Sequence, residues 1–314
     1  MPEPVRIVWD NCTVGEWNAL LARVPRSTLL QSWTYAQAML LTERFRPSFG
    51  LIEHRDEPVG LVQVQVRRMF GLLERVHIDR GPLWLEPPPA AWQAAVLSAL
   101  RRRFPARPGR AVHFLPEMPA TPESAALLEG AGFGRAGPGY RTIWLDLRPE
   151  PEALRRRLDG KWRNRLVVAE RAGLTVEADP AAKALPWLME LHEADMKARR
   201  YRGPSGPLVV RLRNGLWRDG HSLLLRALAD GEPVAAALVL RHGAAATYQI
   251  GWSAPEGRRR QAQTLLLWQA ALALRAAGAQ WFDLGGINPE HAPGVTAFKR
   301  GLGGEEVETV GVYG

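Results

Sequence analysis

At 314 residues the chain is long enough for two domains of about 150 residues each, and its 46% of hydrophobic residues allows both to bury a core. Cys12 is the only cysteine, which excludes a disulfide framework and a cysteine-based zinc site. The sequence contains no run of about 18 apolar residues, which a membrane-spanning helix would need. The net charge of +9 favours an anionic partner (nucleic acid, a phosphorylated small molecule or an acidic membrane surface), although a GC-rich genome would equally explain the abundance of arginine.

Hydrophobic periodicity in the first half predicts short strands that alternate with helices. A polar turn at 55–58 between two apolar runs predicts a hairpin, and Gly132 is the residue expected at a left-handed helix end. The predicted strands are 5–9, 49–52, 59–66, 75–78, 81–85, 111–115 and 142–147. The predicted helices are 17–21, 33–41, 91–104 and 123–131.

The segment 148–151 has two prolines between a predicted strand and a predicted helix. It is the predicted boundary between a first domain at 1–147 and a second domain at 148–314. In the second half the predicted helices are 152–172, with a break at Gly160 left open, then 185–199, 209–216, 261–277 and 294–299. The predicted strands are 222–228, 233–241, 246–251, 280–284 and 306–313.

The two halves repeat one another. Both contain Glu-Pro-Val at the start of a strand and Trp-Gln-Ala-Ala in a helix. Glu57 and Glu232 are 175 positions apart, and Trp92 and Trp268 are 176 apart, so one register relates the halves. A repeat of this length indicates a duplicated domain rather than a solenoid. The predicted fold class is therefore α/β with an α+β order, in two tandem domains that each have a mixed, mostly antiparallel sheet flanked by helices.

Several segments resemble motifs of the Fem family, within the GNAT acyltransferase superfamily. In chain order they are Gln31-Ser32-Trp33, Lys161-Trp162-Arg163-Asn164, 169–176, Asp283-Leu284-Gly285-Gly286-Ile287 and 298–304. The resemblance implies two GNAT-like domains, with the last strand, about 305–314, as a candidate to pair with the first domain. It also implies transfer of an aminoacyl group from aminoacyl-tRNA to an amine. The family's usual acceptor is a peptidoglycan precursor, and another peptide or a small-molecule amine stays open.

The expected partners are therefore aminoacyl-tRNA and an amine acceptor, and a monomer is expected. No cofactor is expected beyond the donor itself. No metal is expected either, because no two histidines have the spacing of ligands on a helix. The acidic, proline-rich start does not resemble a secretory signal, so the expected location is the cytoplasm.

Lys299 and Asp283 are the predicted catalytic residues. The Lys299 ammonium would stabilise the oxyanion of the transition state or bind a phosphate of the donor, and the Asp283 carboxylate would accept or orient a proton of the incoming ammonium. Gly285 and Gly286 would allow the backbone to approach a bound substrate closely. The alternatives are a surface lysine favoured by the helix dipole and an aspartate that caps a turn.

Further aromatic and basic residues are predicted to contact substrate or nucleic acid. The predicted substrate contacts are Trp33, Phe298, Arg199, Arg200 and Arg202. The predicted nucleic-acid contacts are Arg157, Lys161, Arg165 and Arg300. The first three of these have the spacing i, i+4, i+8 on one predicted helix face, which could follow RNA phosphates. For both basic sets a solvated surface is the alternative.

The choice of donor depends on the start of the helix predicted at 261–277. A CoA-dependent GNAT protein has a glycine-containing turn there, whose backbone amides face the pyrophosphate. This chain has Gln261 and Gln263 where the glycines are expected, and their side chains would hinder close approach. Aminoacyl-tRNA is therefore the predicted donor. An acyl-CoA-dependent N-acyltransferase and a non-catalytic binding protein on the same fold are the alternatives.

Overall fold

The computed structural model describes residues 5–179, 181–201, 203–217 and 220–314, except for the side chains of Arg199 and Trp217. The chain divides into two compact units. The first comprises the chain up to Arg141 together with Val307–Gly314, and the second comprises Thr142–Glu306. Among the described residues, no helix combines the length and the hydrophobicity that a transmembrane span requires.

The first unit contains a sheet and four helices within the described residues. Its strands are β1 (Arg6–Trp9), β2 (Arg46–His54), β3 (Glu57–Met69), β4 (Leu73–Gly81), β5 (Leu83–Trp84), β6 (Arg110–Pro116), β7 (Arg135–Gly137) and, from the end of the chain, β15 (Val312–Tyr313). Its helices are α1 (Val14–Arg23), α2 (Trp33–Glu43), α3 (Ala90–Arg103) and α4 (Pro122–Gly130). A capping box starts α1, because the Thr13 hydroxyl accepts from the Glu16 N–H and the Glu16 carboxylate accepts from the Thr13 N–H.

The strand order of the first sheet is β1-β2-β3-β4-β6-β15-β7, with β5 beside β3. The neighbours β4 and β6 are parallel, and α3 makes the crossover that a parallel pair needs. The other pairs are antiparallel. The core lies between sheet and helices, where Val76, Ile78 and Phe114 pack with Leu97 and Leu100 of α3, all at most 1% exposed.

The second unit also consists of one sheet and several helices. Its strands are β8 (Arg141–Asp146), β9 (Thr175–Ala178), β10 (Ser222–Ala229), β11 (Glu232–His242), β12 (Ala245–Ser253), β13 (Trp281–Asp283) and β14 (Glu305–Glu308). Its helices are α5 (Pro151–Arg157), α6 (Gly160–Glu170), α7 (Leu185–Arg199), α8 (Gly206–Trp217), α9 (Pro255–Arg259), α10 (Ala262–Ala276) and α11 (Pro293–Arg300). The long helix α10 is apolar on most faces and lies in the core of the unit.

The strand order of the second sheet is β14-β8-β13-β12-β11-β10-β9. Here β12 and β13 are the parallel neighbours, and α10 connects them. The order hairpin, third strand, helix and parallel strand thus occurs in both units, as β2-β3-β4-α3-β6 and as β10-β11-β12-α10-β13. The predicted fold class, two mixed and mostly antiparallel sheets flanked by helices, is confirmed.

The structural boundary differs from the one predicted at 147/148. β8, expected to end the first domain, pairs with β13 through Trp144 and Asp283, and Ile143 and Leu145 lie in the core of the second unit. The strand predicted at 306–313 is two strands, of which β14 joins the second sheet and β15 joins the first. The prolines at 148–151 mark a local turn between β8 and α5, and a local turn does not reveal which sheet a strand joins.

The helix predicted at 152–172 is two helices. α5 ends at Arg157, and Asp159 then caps α6, since its Oδ1 accepts from the backbone N–H groups of Lys161 at 2.9 Å and Trp162 at 3.3 Å. Arg157 therefore does not share a helix face with Lys161 and Arg165. The prediction of one basic face across these three residues is wrong, although all three side chains are exposed.

Candidate active site

The parallel strands of the second unit separate next to the predicted catalytic residues. β12 and β13 pair only from Ala245↔Trp281 to Thr247↔Asp283, although β12 continues to Ser253. In the first unit β4 and β6 stay paired along almost their whole length, from Glu74↔Arg110 onwards. The early separation of the parallel strands is thus a feature of the second unit.

Asp283 ends β13 and stabilises the turn that follows. Its Oδ1 accepts a hydrogen bond from the Gly285 N–H at 2.9 Å and another from the Thr142 hydroxyl. Gly285 has a φ of +72°, and a Cβ there would lie 3.0 Å from the Tyr248 carbonyl oxygen, which explains the glycine. Asp283 is 4% exposed. These contacts agree with the turn-capping alternative, and a role for Asp283 in proton transfer stays a prediction.

Lys299, near the end of α11, points into the second unit. Its Nζ donates to the carbonyl oxygens of Gly285 at 3.1 Å and Gly286 at 2.9 Å, and the residue is only 7% exposed. The ammonium also lies 5.8 Å from the centre of the Tyr248 ring. Burial lowers the pKa of Lys299 to about 8, and the Asp283 carboxylate opposes this shift. The alternative of an exposed surface lysine is excluded.

Tyr248 and Gln263 connect this cluster to the N-terminal end of α10. The Tyr248 hydroxyl accepts a hydrogen bond from Gln263 Nε2 at 2.7 Å, and Gln263 Oε1 accepts one from the Ser253 hydroxyl at 3.1 Å. Burial raises the pKa of Tyr248, so its hydroxyl keeps the proton at neutral pH. Gly251 makes room for the ring, because a Cβ there would lie 1.5 Å from the Tyr248 hydroxyl oxygen.

A cavity of about 190 Å³ lies at the same end of α10. Its lining includes Ser253, Arg258, Gln261, Gln263 and Phe298. It therefore combines a cation, two amides, a hydroxyl and an aromatic ring, a set that suits a polar or anionic group attached to a flat one. A larger cavity of about 380 Å³, lined by Asp179, Lys183, Trp187 and Arg226 among others, shares no lining residue with it.

Residues 154–300 match the family model of an acetyltransferase (GNAT) domain. This segment, just under half of the chain, is similar to a GNAT domain. It covers most of the second unit, including α10, β13 and the Lys299 cluster. No curated protein matches the chain.

Solved structures extend the likeness to the whole chain. The chain is similar to FemX, with a TM-score of 0.80 at 16% identity, over 98% of this chain and 96% of that one. It is also similar to a tandem GNAT protein from the clavulanic acid biosynthesis pathway, with a TM-score of 0.53 at 19% identity over 98% and 97% of the two chains. A third similar structure is the C-terminal domain of a putative lysylphosphatidylglycerol synthetase from Agrobacterium fabrum, with a TM-score of 0.52 at 14% identity over 96% and 91%.

At these identities the likeness concerns the fold. It confirms the predicted resemblance to tandem GNAT-like proteins of the Fem type. Together with the GNAT domain, it supports the prediction that the chain is an acyltransferase enzyme.

Of the other predicted contacts in the second unit, only some lie close to the Lys299 cluster and the smaller cavity. Phe298 lines the smaller cavity and lies 6.1 Å, between ring centres, from Trp162. Arg300 forms a two-pronged ion pair with Glu306, at 2.6 and 2.9 Å, which competes with a nucleic-acid phosphate for the guanidinium. Arg200 is exposed and caps the C-terminal end of α7 with a φ of +54°. Arg202 and the side chain of Arg199 lie outside the described residues.

Trp33 lies in the first unit, where its ring stacks on Phe49 with 3.9 Å between centres. Gln31, from the same motif, is buried, and its amide bonds to the backbone of Gln63 and to the Asp79 carbonyl oxygen. Both residues thus hold α2 and its preceding turn on the sheet. A substrate contact for Trp33 stays a prediction.

Sequence reasoning missed several polar residues. Tyr248 and Ser253 carry no local motif, and only the fold brings them to Gln263, which the sequence marked solely as an obstacle to CoA. In the first unit, the Asp79 carboxylate lies 3.6 Å from His77 Nδ1 and 3.3 Å from His113 Nε2. The hydrogen bond to Asp79 raises the pKa of His113. The pairing of β4 with β6 makes the two histidines neighbours, which sequence spacing does not reveal.

Proposed function

We propose that the chain is a Fem-type aminoacyltransferase, which moves an aminoacyl group from aminoacyl-tRNA to an acceptor amine. The observation that carries the proposal is the arrangement of side chains at the N-terminal end of α10. The fold shared with FemX and the GNAT domain support the general chemistry, which is acyl transfer.

The end of α10 bears on the choice between donors. A diphosphate group needs bare backbone amides at such a helix end. In this chain Gln263 bonds to the hydroxyls of Tyr248 and Ser253, and Gln261 Nε2 donates to the Arg258 carbonyl oxygen at 3.0 Å. Two amide side chains thus stand where the diphosphate of CoA would approach the backbone. This disfavours CoA as the donor. The resemblance to the Fem family, whose fold the chain shares, then supports an aminoacyl ester of tRNA.

The reaction needs no covalent intermediate on the protein. The nitrogen of the neutral acceptor amine attacks the ester carbonyl carbon, and a tetrahedral oxyanion forms. The ester C–O bond then breaks, the amide forms, and the ribose hydroxyl of the tRNA leaves with the proton that the amine nitrogen loses. Fixed positive charge near the oxyanion lowers the barrier to this step.

Lys299 is the cation that we assign to this role. Two carbonyl oxygens hold its ammonium in place, so little reorganisation is needed as negative charge develops. Its burial also strengthens the electrostatic interaction relative to water. Gly286 is exposed beside it, which leaves the substrate a route to the turn.

The pKa of Lys299 predicts how transfer depends on pH. Because the folded-state pKa is lowered to about 8, the ammonium is present below this pH and is lost as the pH rises through it. We therefore expect kcat to decline above pH about 8. Lys299→Arg should remove this decline, because a guanidinium stays charged. Single-turnover rates across the range would show it, and an increase through pH 8 in both proteins would contradict the role.

The acceptor is an amine, and a peptidoglycan precursor is the first candidate to test, followed by other peptide and small-molecule amines. We place the reaction in the cytoplasm, where charged tRNA is available, and we propose a monomer. No cofactor beyond the aminoacyl-tRNA donor is part of the proposal.

The deciding experiment follows a labelled amino acid from charged tRNA to candidate amines. We expect transfer that is lost when the tRNA is treated with RNase before the assay and that does not require CoA. Thermal stabilisation by tRNA, by CoA and by a nucleotide-linked peptide, each measured separately, identifies bound ligands independently of turnover. Stabilisation by these ligands without any transfer would indicate a non-catalytic binding protein.

The second candidate is an acyl-CoA-dependent N-acyltransferase, which the description of the matching domain as an acetyltransferase favours. Transfer that survives RNase and depends on acyl-CoA would establish it. In that case Gln263→Gly should increase the apparent affinity for acyl-CoA, since it clears the backbone at the start of α10.

A further inference from the structure

The hairpin turn between β3 and β4, in the first unit, exposes large apolar side chains. Phe70 is 92% exposed, Leu72 is 86% exposed and Leu73 is 46% exposed. Met69 pairs with Leu73 across the two strands, so the apolar surface continues from the turn onto one face of the hairpin. Large apolar side chains that are exposed side by side are typical of interaction sites.

Behind this tip lies a pair of arginines. Arg67 pairs directly with Arg75 across the strands, on the same face as Met69 and Leu73. Like charges in such a cross-strand pair repel, so the pair costs stability unless an anion lies over it. No ion-pair partner is seen for either arginine among the described residues. The pair is thus a place where an anionic group would be stabilised.

The part of the hairpin next to the apolar tip is also strongly cationic. Glu74 is buried, and its carboxylate is shared by Arg68, Arg107 and Arg110. Burial opposes its charge, but hydrogen bonds from Arg110 and Arg68 hold the pKa of Glu74 below its usual value. Residues 66–76 and 105–111 contain five arginines and this single acidic residue. The glutamate therefore orders the arginines around it without neutralising their charge.

We propose that the β3–β4 hairpin docks the protein on an anionic lipid bilayer. The side chains of Phe70 and Leu72 enter the boundary between head groups and acyl chains, and Arg67 and Arg75, two residue pairs behind Met69 and Leu73, bind lipid phosphates. Apolar burial and attraction to anionic lipids are the two contributions that hold peripheral proteins at a bilayer surface. Charge complementarity selects this occupant, since five arginines surround the apolar tip. The inference is independent of the donor and the acceptor proposed above.

The test is co-sedimentation of the full chain with vesicles of phosphatidylcholine alone and of phosphatidylcholine with phosphatidylglycerol. We expect binding to the anionic vesicles that weakens as salt is raised, and little binding to the neutral ones. The double variant Phe70→Ser/Leu72→Ser should lower the partition coefficient by about tenfold or more. Arg67→Gln/Arg75→Gln should lower it by about fivefold for each arginine, on anionic vesicles only.

Leu41→Ser is the matched control, because Leu41 is also an exposed leucine of the first unit, at 62%. It should bind vesicles as wild type does. Equal binding of wild type to both vesicle types, no binding at all, or equal losses in the control would overturn the proposal. Light scattering without lipid tests whether the protein self-associates through the same tip. A dimer that Phe70→Ser/Leu72→Ser dissolves would mean that the tip covers a second copy of the chain instead.

Discussion

Lys299→Met is expected to lower the turnover of acyl transfer by about 10²–10³-fold, which is the usual effect of removing one donor to a developing oxyanion. The methionine has nearly the same length and no charge. Transfer kinetics with charged tRNA would measure the change in kcat and KM separately. A loss confined to kcat places the lysine in the transition state, whereas equal losses in affinity and turnover would place it in donor binding.

The same substitution is expected to cost stability, because Lys299 is buried. It leaves the carbonyl oxygens of Gly285 and Gly286 without their donor, at a cost of about 1–3 kcal/mol. Lys299→Arg should restore turnover only in part, since a planar guanidinium does not replace a compact ammonium. Lys197→Met, at an exposed position of α7, is the matched control and should keep wild-type turnover. Wild-type turnover in Lys299→Met itself would show that the lysine is structural.

Tyr313→Ala is expected to destabilise the protein by about 3–5 kcal/mol, as for other large aromatic side chains removed from a core. Tyr313 is fully buried in the first unit, and its strand lies between β6 and β7. Thermal melting would show the loss as a fall in Tm of roughly 10 °C, from about 2–4 °C per kcal/mol for a unit of this size.

Tyr313→Phe is the matched control for this prediction. The Tyr313 hydroxyl is buried without a hydrogen-bond partner among the described residues. Removing it should therefore leave stability within about 1 kcal/mol of wild type, or increase it. If Tyr313→Ala melted like wild type, β15 would not be a structural part of the first sheet.

The candidate site was predicted only in part. The resemblance to Fem motifs drew attention to Lys299, Asp283 and the Gly285–Gly286 pair, and the structure places all four around one turn. What the motif did not reveal is that Lys299 is buried, with its ammonium on two carbonyl oxygens and a pKa near 8. That environment comes from the packing of α11 on the end of β13. Tyr248 is part of it only through the register of β12.

The predicted contacts of basic residues with nucleic acid depended on a helical spacing that the structure does not preserve. The spacing of Arg157, Lys161 and Arg165 is a periodic pattern, but the cap at Asp159 starts a new helix between the first two. Arg300 also has a carboxylate partner, Glu306, that lies on the next strand and that no helical pattern predicts. Charge patterns indicate exposure well, and they say little about which partner an arginine will find.

The sequence by itself determined the local elements, the duplication and the fold class, because hydrophobic periodicity, caps and turn residues act within a few positions of one another. The resemblance to Fem motifs also predicted acyl transfer, which the match to a GNAT domain supports. Only the tertiary structure decided that β8 belongs to the second sheet, that the last predicted strand divides between both sheets, and that the parallel strands separate early in the second unit. Strand pairing joins residues that are far apart in the chain, and the local sequence of one strand does not identify its partner. The partner is determined by the core that each strand helps to bury.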